Sequence, residues 1–448
     1  VVLYSFTGQS GSGTDGFGPV GGLAMGRAAP GTTYGTIFYG VTRGGGRNQS
    51  GTLFSIGPNA MPGTTLAQYS QLHSFGDPSF GRDGTAPGAG LLLVGTTLYG
   101  TTSLGGTHNQ GTIFSYDPTL AANNYTVLYS FRGGTDGAAP MAALINANGL
   151  LYGTTARGGG AGCFDHGGCG TVFAFNPATG ADTVLHAFVG GTADGAAPMG
   201  NVTYYNGVLY GTASAGGSAL CFAAAGCGTV FQIDLASGAY RQLHAFRSGG
   251  RDGAVPLDGL SVLTLSVGTV LVGDTSKGGG GTCSLDGCGT LFALNPTTLV
   301  ERQLYATGTG MVGAAGLPLA SHRGAMPAAP VGNLTPLGLG GAGVDASHRG
   351  VMGSTASGGG AAALSAARAA AAQAGCHTNF AHSAGTIYQL VIEPVTPTPF
   401  TVVYSFTGLS DGALPVGGLV QPGQTGPYYG ETAQGGVCES GTVFQIQP

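Results

Sequence analysis

Six aspartates of this 448-residue chain share one context: Asp15, Asp83, Asp136, Asp194, Asp252 and Asp411 each precede a glycine and stand four residues before a proline. A carboxylate so placed has two chemistries open to it. It can accept nearby backbone N–H groups and hold a tight turn, after which proline enters a strand. A ring of such carboxylates could instead hold Ca²⁺, which takes oxygen ligands. The turn is the better reading. Repeated units keep these groups far apart, and none is expected to have a second carboxylate beside it. His73, His186 and His244 look catalytic until the surrounding segments are aligned. The same position is then Tyr4, Tyr129, Tyr305 and Tyr404. Where His and Tyr interchange, the site calls for packing or a hydrogen bond, not a general base.

The cysteines point to oxidation. Cys163/Cys169, Cys221/Cys227 and Cys283/Cys288 are separated by 6, 6 and 5 residues, and each second member directly precedes a glycine. Bridges there would staple three hairpin tips, each contributing roughly 2–2.5 kcal/mol. Zinc would need four converging ligands, and these pairs fall in different units. Cys376 and Cys438 occupy the corresponding loops of two later units and are expected to bridge neighbouring blades. Cys376-His377 with His382 lacks a further ligand nearby. No G-x-S-x-G, H-E-x-x-H or phosphate-binding loop appears. The sequence therefore predicts no catalytic residue, no metal and no cofactor.

Composition narrows the class. Glycine supplies 90 residues and proline 23, yet 42% of the chain is hydrophobic, too apolar for disorder. Charged residues are 7%, against about 25% in ordinary domains. Lys277 is the single lysine, there is no tryptophan, and the net charge is −5. Such a chain has no field for nucleic acid or anionic lipid. Nor does any apolar run approach the roughly 20 residues of a membrane span.

A repeat must position all of these residues. A Gly-Thr-apolar-aromatic element begins at Gly51, Gly111, Gly170, Gly228, Gly289, Gly385 and Gly441. A Tyr/His-Ser/Ala-Phe element ends at Phe6, Phe75, Phe131, Phe188, Phe246 and Phe406, with a degenerate copy ending at Thr307. The period is about 57 residues, with insertions in the first and sixth units. Each unit holds four short runs of Val, Ile, Leu, Thr, Tyr and Phe between glycine-rich turns. In the third unit they are 126–131, 141–146, 150–155 and 171–175. Seven units of four strands predict an all-β fold, a single seven-bladed β-propeller over residues 1–448. A solenoid usually repeats every 20–30 residues. The chain opens on the fourth run of a unit, so residues 1–6 are expected to complete the last blade and close the ring. The same strand could instead complete a neighbour's blade. Residues 308–384 form a degenerate sixth unit, with an Ala-rich helix expected over 361–374.

The pattern YSF…DGAxP…GxLYGTTxxGG…GTVF resembles the GloVer-type tandem repeat of exported bacterial choice-of-anchor proteins. The resemblance covers nearly the whole chain and implies export, a surface or extracellular setting, and no transferable enzymatic activity. Members often end in an anchor segment, and none is seen before Pro448. The absence of a basic leader at Val1 fits removal of an upstream signal. The expectation is thus an extracellular structural or adhesive protein without catalysis, contacting copies of itself in an oligomer or filament, or a glycan. Sparse charge offers little repulsion between copies. A carbohydrate-binding propeller is the alternative, weakened by the lack of tryptophan. A polysaccharide-active propeller enzyme is a further one, weakened by the scattered charges.

Overall fold

In a computed structural model of the chain, the apolar runs form short antiparallel strands. The structure describes residues 1–8, 15–27, 36–57, 68–80, 82–120, 124–160, 162–163, 167–218, 226–247, 252–265, 268–279, 289–306, 337–339, 386–390, 400–406, 411–422, 427–436 and 440–446. They build seven sheets in chain order, with two small ladders beside them. Sheet I pairs Phe17–Arg27, Thr36–Gly44, Thr52–Gly57 and Gln68–Ser74 in that order. Sheet II begins with two short strands, Gly84–Pro87 and Leu92–Val94, both on Thr97–Gly105, and continues through Thr112–Tyr116 to Tyr125–Ser130. Sheet III is Ile145–Ala147, Leu150–Thr155, Thr171–Asn176 and Ala181–Ala187. Sheet IV is Thr203–Tyr205, Val208–Ala213, Thr229–Asp234 and Tyr240–Ala245, and sheet V is Ser261–Leu265, Gly268–Thr275, Thr290–Leu294 and Glu301–Ala306. Sheet VI comprises Leu337–Leu339, Thr386–Leu390 and Phe400–Ser405. Sheet VII takes Ala413–Val420, Tyr428–Gln434 and Thr442–Ile446, and its fourth strand is the N-terminal Val2–Ser5.

Three of the four strands expected in the third unit fall within a residue of their positions. The strand expected over 141–146 does not: only Ile145–Ala147 pairs. Pro140 has no N–H to give, and Ala139 before it lies at φ 52°, so the chain cannot run straight into a ladder there. Elsewhere the same Asp-Gly segment makes its own two-residue ladder, Gly195–Ala196 with Ala215–Gly216 and Gly253–Ala254 with Lys277–Gly278.

Every fourth strand carries a bulge at the same place. In sheet III, Val172 faces His186 while Phe173 faces Val184, leaving Leu185 unpaired. The equivalent shift skips Leu3, Leu72, Leu128, Leu243, Leu304 and Val403. A bulge re-aims the residue after it, and that residue is always the Tyr or His of the repeat.

The core lies in the seams between sheets. Each Phe that ends a fourth strand meets, edge to face, the Phe of the third strand in the next sheet: Phe6–Phe54, Phe75–Phe114, Phe131–Phe173, Phe188–Phe231, Phe246–Phe292 and Phe406–Phe444, at 5.1–5.3 Å. Such pairs contribute about 0.5–1.5 kcal/mol beyond the area they bury. The third-strand ring lies over the glycine of Tyr-Gly-Thr. A Cβ at Gly153 would stand 2.6 Å from the Phe173 ring, which explains the glycine there. The expected helix over 361–374, and most of the expected 308–384 unit, lie outside the described residues.

Candidate functional site

The repeated aspartates sit at the junctions between consecutive sheets, where the bulge delivers the Tyr or His. At Asp15, the Tyr4 hydroxyl donates to Oδ2 at 2.7 Å, as does the Thr7 N–H at 3.0 Å. At Asp83, His73 Nε2 lies 3.1 Å from Oδ2, the Asp77 N–H donates to the same oxygen, and Gly84 N–H donates to Oδ1. Asp136 accepts from the Tyr129 hydroxyl at 2.6 Å and the Arg132 N–H at 2.7 Å. Asp194 and Asp252 pair with His186 and His244 at 3.2 and 3.3 Å, and each takes two backbone N–H groups. Asp411 accepts from the Tyr404 hydroxyl at 3.0 Å. Five of the six aspartates thus accept backbone N–H groups, and each of the six meets the Tyr or His of its unit, three of them a histidine.

Two further devices complete the junction. The residue before proline takes a left-handed conformation in four units, at Ala86, Ala139, Ala197 and Val255. Its N–H then reaches back to the preceding sheet, to the carbonyls of Ser50, Gln110, Cys169 and Cys227 at 2.7–2.9 Å. Val255 is β-branched, so φ 56° there is strained. The proline packs on the glycine that opens the third strand of that preceding sheet. A Cβ at Gly170 would lie 2.5 Å from Pro198 Cδ.

A column absent from the sequence reading faces five of the six aspartates, Asp411 excepted, from the next sheet. It lies four residues before the Tyr/His position and reads Tyr69, Tyr125, Asp182, Tyr240 and Glu301. Tyr69 stacks on Tyr4, Tyr125 on His73 and Tyr240 on His186, the last two at 3.7 Å between ring centroids. Burial pushes all three phenols well above their ordinary value, so they stay protonated. Tyr125 donates to Asp83 Oδ1 at 2.5 Å. Burial also pushes the Asp194 carboxyl up. His186, the Tyr240 hydroxyl and the Val189 N–H outweigh it and hold the group below the usual carboxylate range.

Two junctions differ, and they correct the expectation that no aspartate has a carboxylate beside it. Asp182 stands near Asp136, and burial first, then the Asp136 charge, pushes it up to about 7. Glu301 joins His244 and Asp252 in a group whose ligand atoms all lie within 4.8 Å of one another. Burial raises the Glu301 carboxyl, with His244 opposing and Asp252 reinforcing the shift. Segments 46 and 49 residues apart in the chain bring these groups together, so only alignment of the repeats, read four residues before each Tyr or His, could have found them.

Of the expected bridges, Cys163–Cys169 is present, with S–S 2.03 Å. Cys227 is also disulfide-bonded. Cys221, Cys283, Cys288, Cys376 and Cys438 lie outside the described residues, as do His377 and His382. Two adjoining depressions of about 290 and 350 Å³ share Arg132. One adds Arg82 and His108, the other Gln110 and Arg157. Among the described residues no helix is long and apolar enough to cross a membrane.

No curated protein matches the chain. Solved structures similar to it include TolB from Acinetobacter baumannii, 14% identical with TM-score 0.33 over 71% of this chain and 60% of that one. A putative 6-phosphogluconolactonase from Bacteroides fragilis is 12% identical with TM-score 0.43, over 96% and 95% of the two chains. An oligogalacturonate lyase from Vibrio parahaemolyticus is 10% identical with TM-score 0.43, over 96% and 98%. The family model described as the Gloeobacter/Verrucomicrobia repeat matches residues 1–162 and 37–292. The repeat identified from the sequence, and the junctions it builds, thus place this chain in the Gloeobacter/Verrucomicrobia repeat family.

Proposed function

We propose that this chain is a non-catalytic structural or adhesive protein of the cell exterior, built as a closed seven-bladed propeller and assembling with copies of itself. The observation that carries the reading is the use made of the recurring polar residues. In each unit the aspartate meets the Tyr or His delivered by the bulged strand, so these polar groups serve to hold the junction. The seven sheets supply the blades. Closure is supported by Val2–Ser5 completing sheet VII and by the approach of Gly22 to Gly417 and Gly418, where sheets I and VII meet. The Cys163–Cys169 bridge favours an oxidising compartment. Sparse charge and exposed apolar side chains, with Val189 71% and Val300 51% accessible, favour association. Light scattering and negative-stain microscopy of the full chain at micromolar concentration test this. Discrete oligomers or fibres are expected. A single species near 43.9 kDa that does not grow on concentration overturns the assembly reading.

A second reading rests on the depressions around Arg132. Three arginines there, in a chain with 14 basic residues, suit an acidic glycan. Binding of a uronate oligosaccharide that Arg132→Ala abolishes would favour it, and no binding by the parent chain would remove it.

A further inference from the structure

We propose that His244, Asp252 and Glu301, at the junction of sheets IV and V, form a binding site for one divalent transition-metal ion of the zinc class. The other junctions act as internal controls. At the Asp83 and Asp194 junctions, a tyrosine from the following sheet covers the histidine ring face, at 3.7 Å. That arrangement is sealed, with an aromatic lid over a His–Asp pair. At the Asp252 junction the His–Asp pair is retained, but Glu301 replaces the tyrosine. The lid is thereby exchanged for a third potential ligand.

The donor set and spacing suit a metal. One imidazole nitrogen and two carboxylates match sites that hold zinc-like ions, whereas Ca²⁺ and Mg²⁺ prefer oxygen alone. His244 Nε2 and Asp252 Oδ1 are 3.3 Å apart. Two ligands on one tetrahedral zinc, with bonds of about 2.0–2.1 Å, stand about 3.3–3.4 Å apart. Glu301 is within 4.8 Å of both, and binding of the ion would require its side chain to rotate inward. Asp252 is already oriented, since the Arg247 and Gly253 N–H groups donate to its two oxygens. Such backing of a ligand carboxylate is the support that metal sites use. Glu301 accepts no hydrogen bond from a described residue, so its half-buried carboxylate gains a partner when the ion binds. The Asp136–Asp182 pair has a tyrosine in place of the histidine and lacks the nitrogen ligand.

Equilibrium dialysis of the chelator-treated full chain against Zn²⁺ at pH 7.5 tests the proposal, with Glu301→Tyr as the principal variant. That substitution installs the residue found at positions 125 and 240, where the fold accepts it. The parent is expected to take up one more equivalent of zinc than Glu301→Tyr, and zinc should raise the melting temperature of the parent only. Glu301→Gln, which keeps size and shape, is expected to weaken binding at least about tenfold. It serves as the comparison if the tyrosine variant does not fold. Comparison by difference removes zinc held by other histidines or by cysteine. Equal uptake by parent and variants, or no uptake by the parent, overturns the proposal.

Discussion

At the residue scale, the Thr-Thr pair between second and third strands shows how narrowly the buried polar groups of each sheet are satisfied. Thr42 and Thr52, Thr102 and Thr112, Thr155 and Thr171, Thr275 and Thr290, and Thr432 and Thr442 lie 2.8–2.9 Å apart through their hydroxyls. Sheet IV has Ala213 in the first position, and the buried Thr229 hydroxyl is left without a partner. Ala213→Thr should therefore raise stability by about 1 kcal/mol in urea denaturation. Asp182 supplies the pH dependence. Its carboxyl is raised to about 7, so the stability it contributes is complete below its unfolded value near 4 and is lost as pH rises through 7. Asp182→Asn keeps the shape and can donate an N–H to Asp136. It should be more stable than the parent by on the order of 1–3 kcal/mol at pH 8 and no more stable at pH 4. Denaturation curves at the two pH values check both halves of that statement.

At the element scale, the Asp-Gly-x-x-Pro segment is a connector more than a strand. The carboxylate binds the bulged fourth strand, the left-handed residue binds a carbonyl of the preceding sheet, and proline covers that sheet's glycine. The loop carrying Cys163 and Cys169 lies beside this connector: a Cβ on Gly190 would stand 2.6 Å from Cys163 Sγ. Replacing both cysteines with serine should cost about 2 kcal/mol. Thermal unfolding under non-reducing conditions measures this. A parent that reducing agent does not destabilise would show that the bridge adds nothing.

At the scale of the whole molecule, the join between the two ends matters most. Val2–Ser5 gives sheet VII its last strand, Phe6 packs on Phe54 of sheet I, and Tyr4 stacks on Tyr69 while donating to Asp15. Glu431 is fully buried at the same seam, beside Gly40. Burial holds its carboxyl well above the usual range, against the opposing N–H of Gly22. Deleting residues 1–6 exposes the edge at Thr442–Ile446 and removes the Tyr4 hydroxyl from the Asp15 carboxylate. The truncated chain should melt at least several degrees lower, and a peptide of residues 1–8 added in excess should restore much of the loss. Unchanged melting would show that the N-terminal strand is dispensable.

The sequence by itself determined most of the strands, the repeat and its phase, and the Cys163–Cys169 bridge, and it marked the aspartates as turn residues. All of these are local signals: β-branched and aromatic runs, Asp-Gly turns, and cysteines six residues apart. Even the interchange of His and Tyr was legible as a sign of packing. Only the tertiary structure decided which group faces each aspartate. Asp182 and Glu301 reach Asp136 and Asp252 because one sheet lies against the next, with 46 and 49 residues of chain between the partners. Period and propensity describe a strand's own two faces. They do not register a bulge that turns one side chain toward a neighbouring sheet, and there the chemistry of this molecule is concentrated.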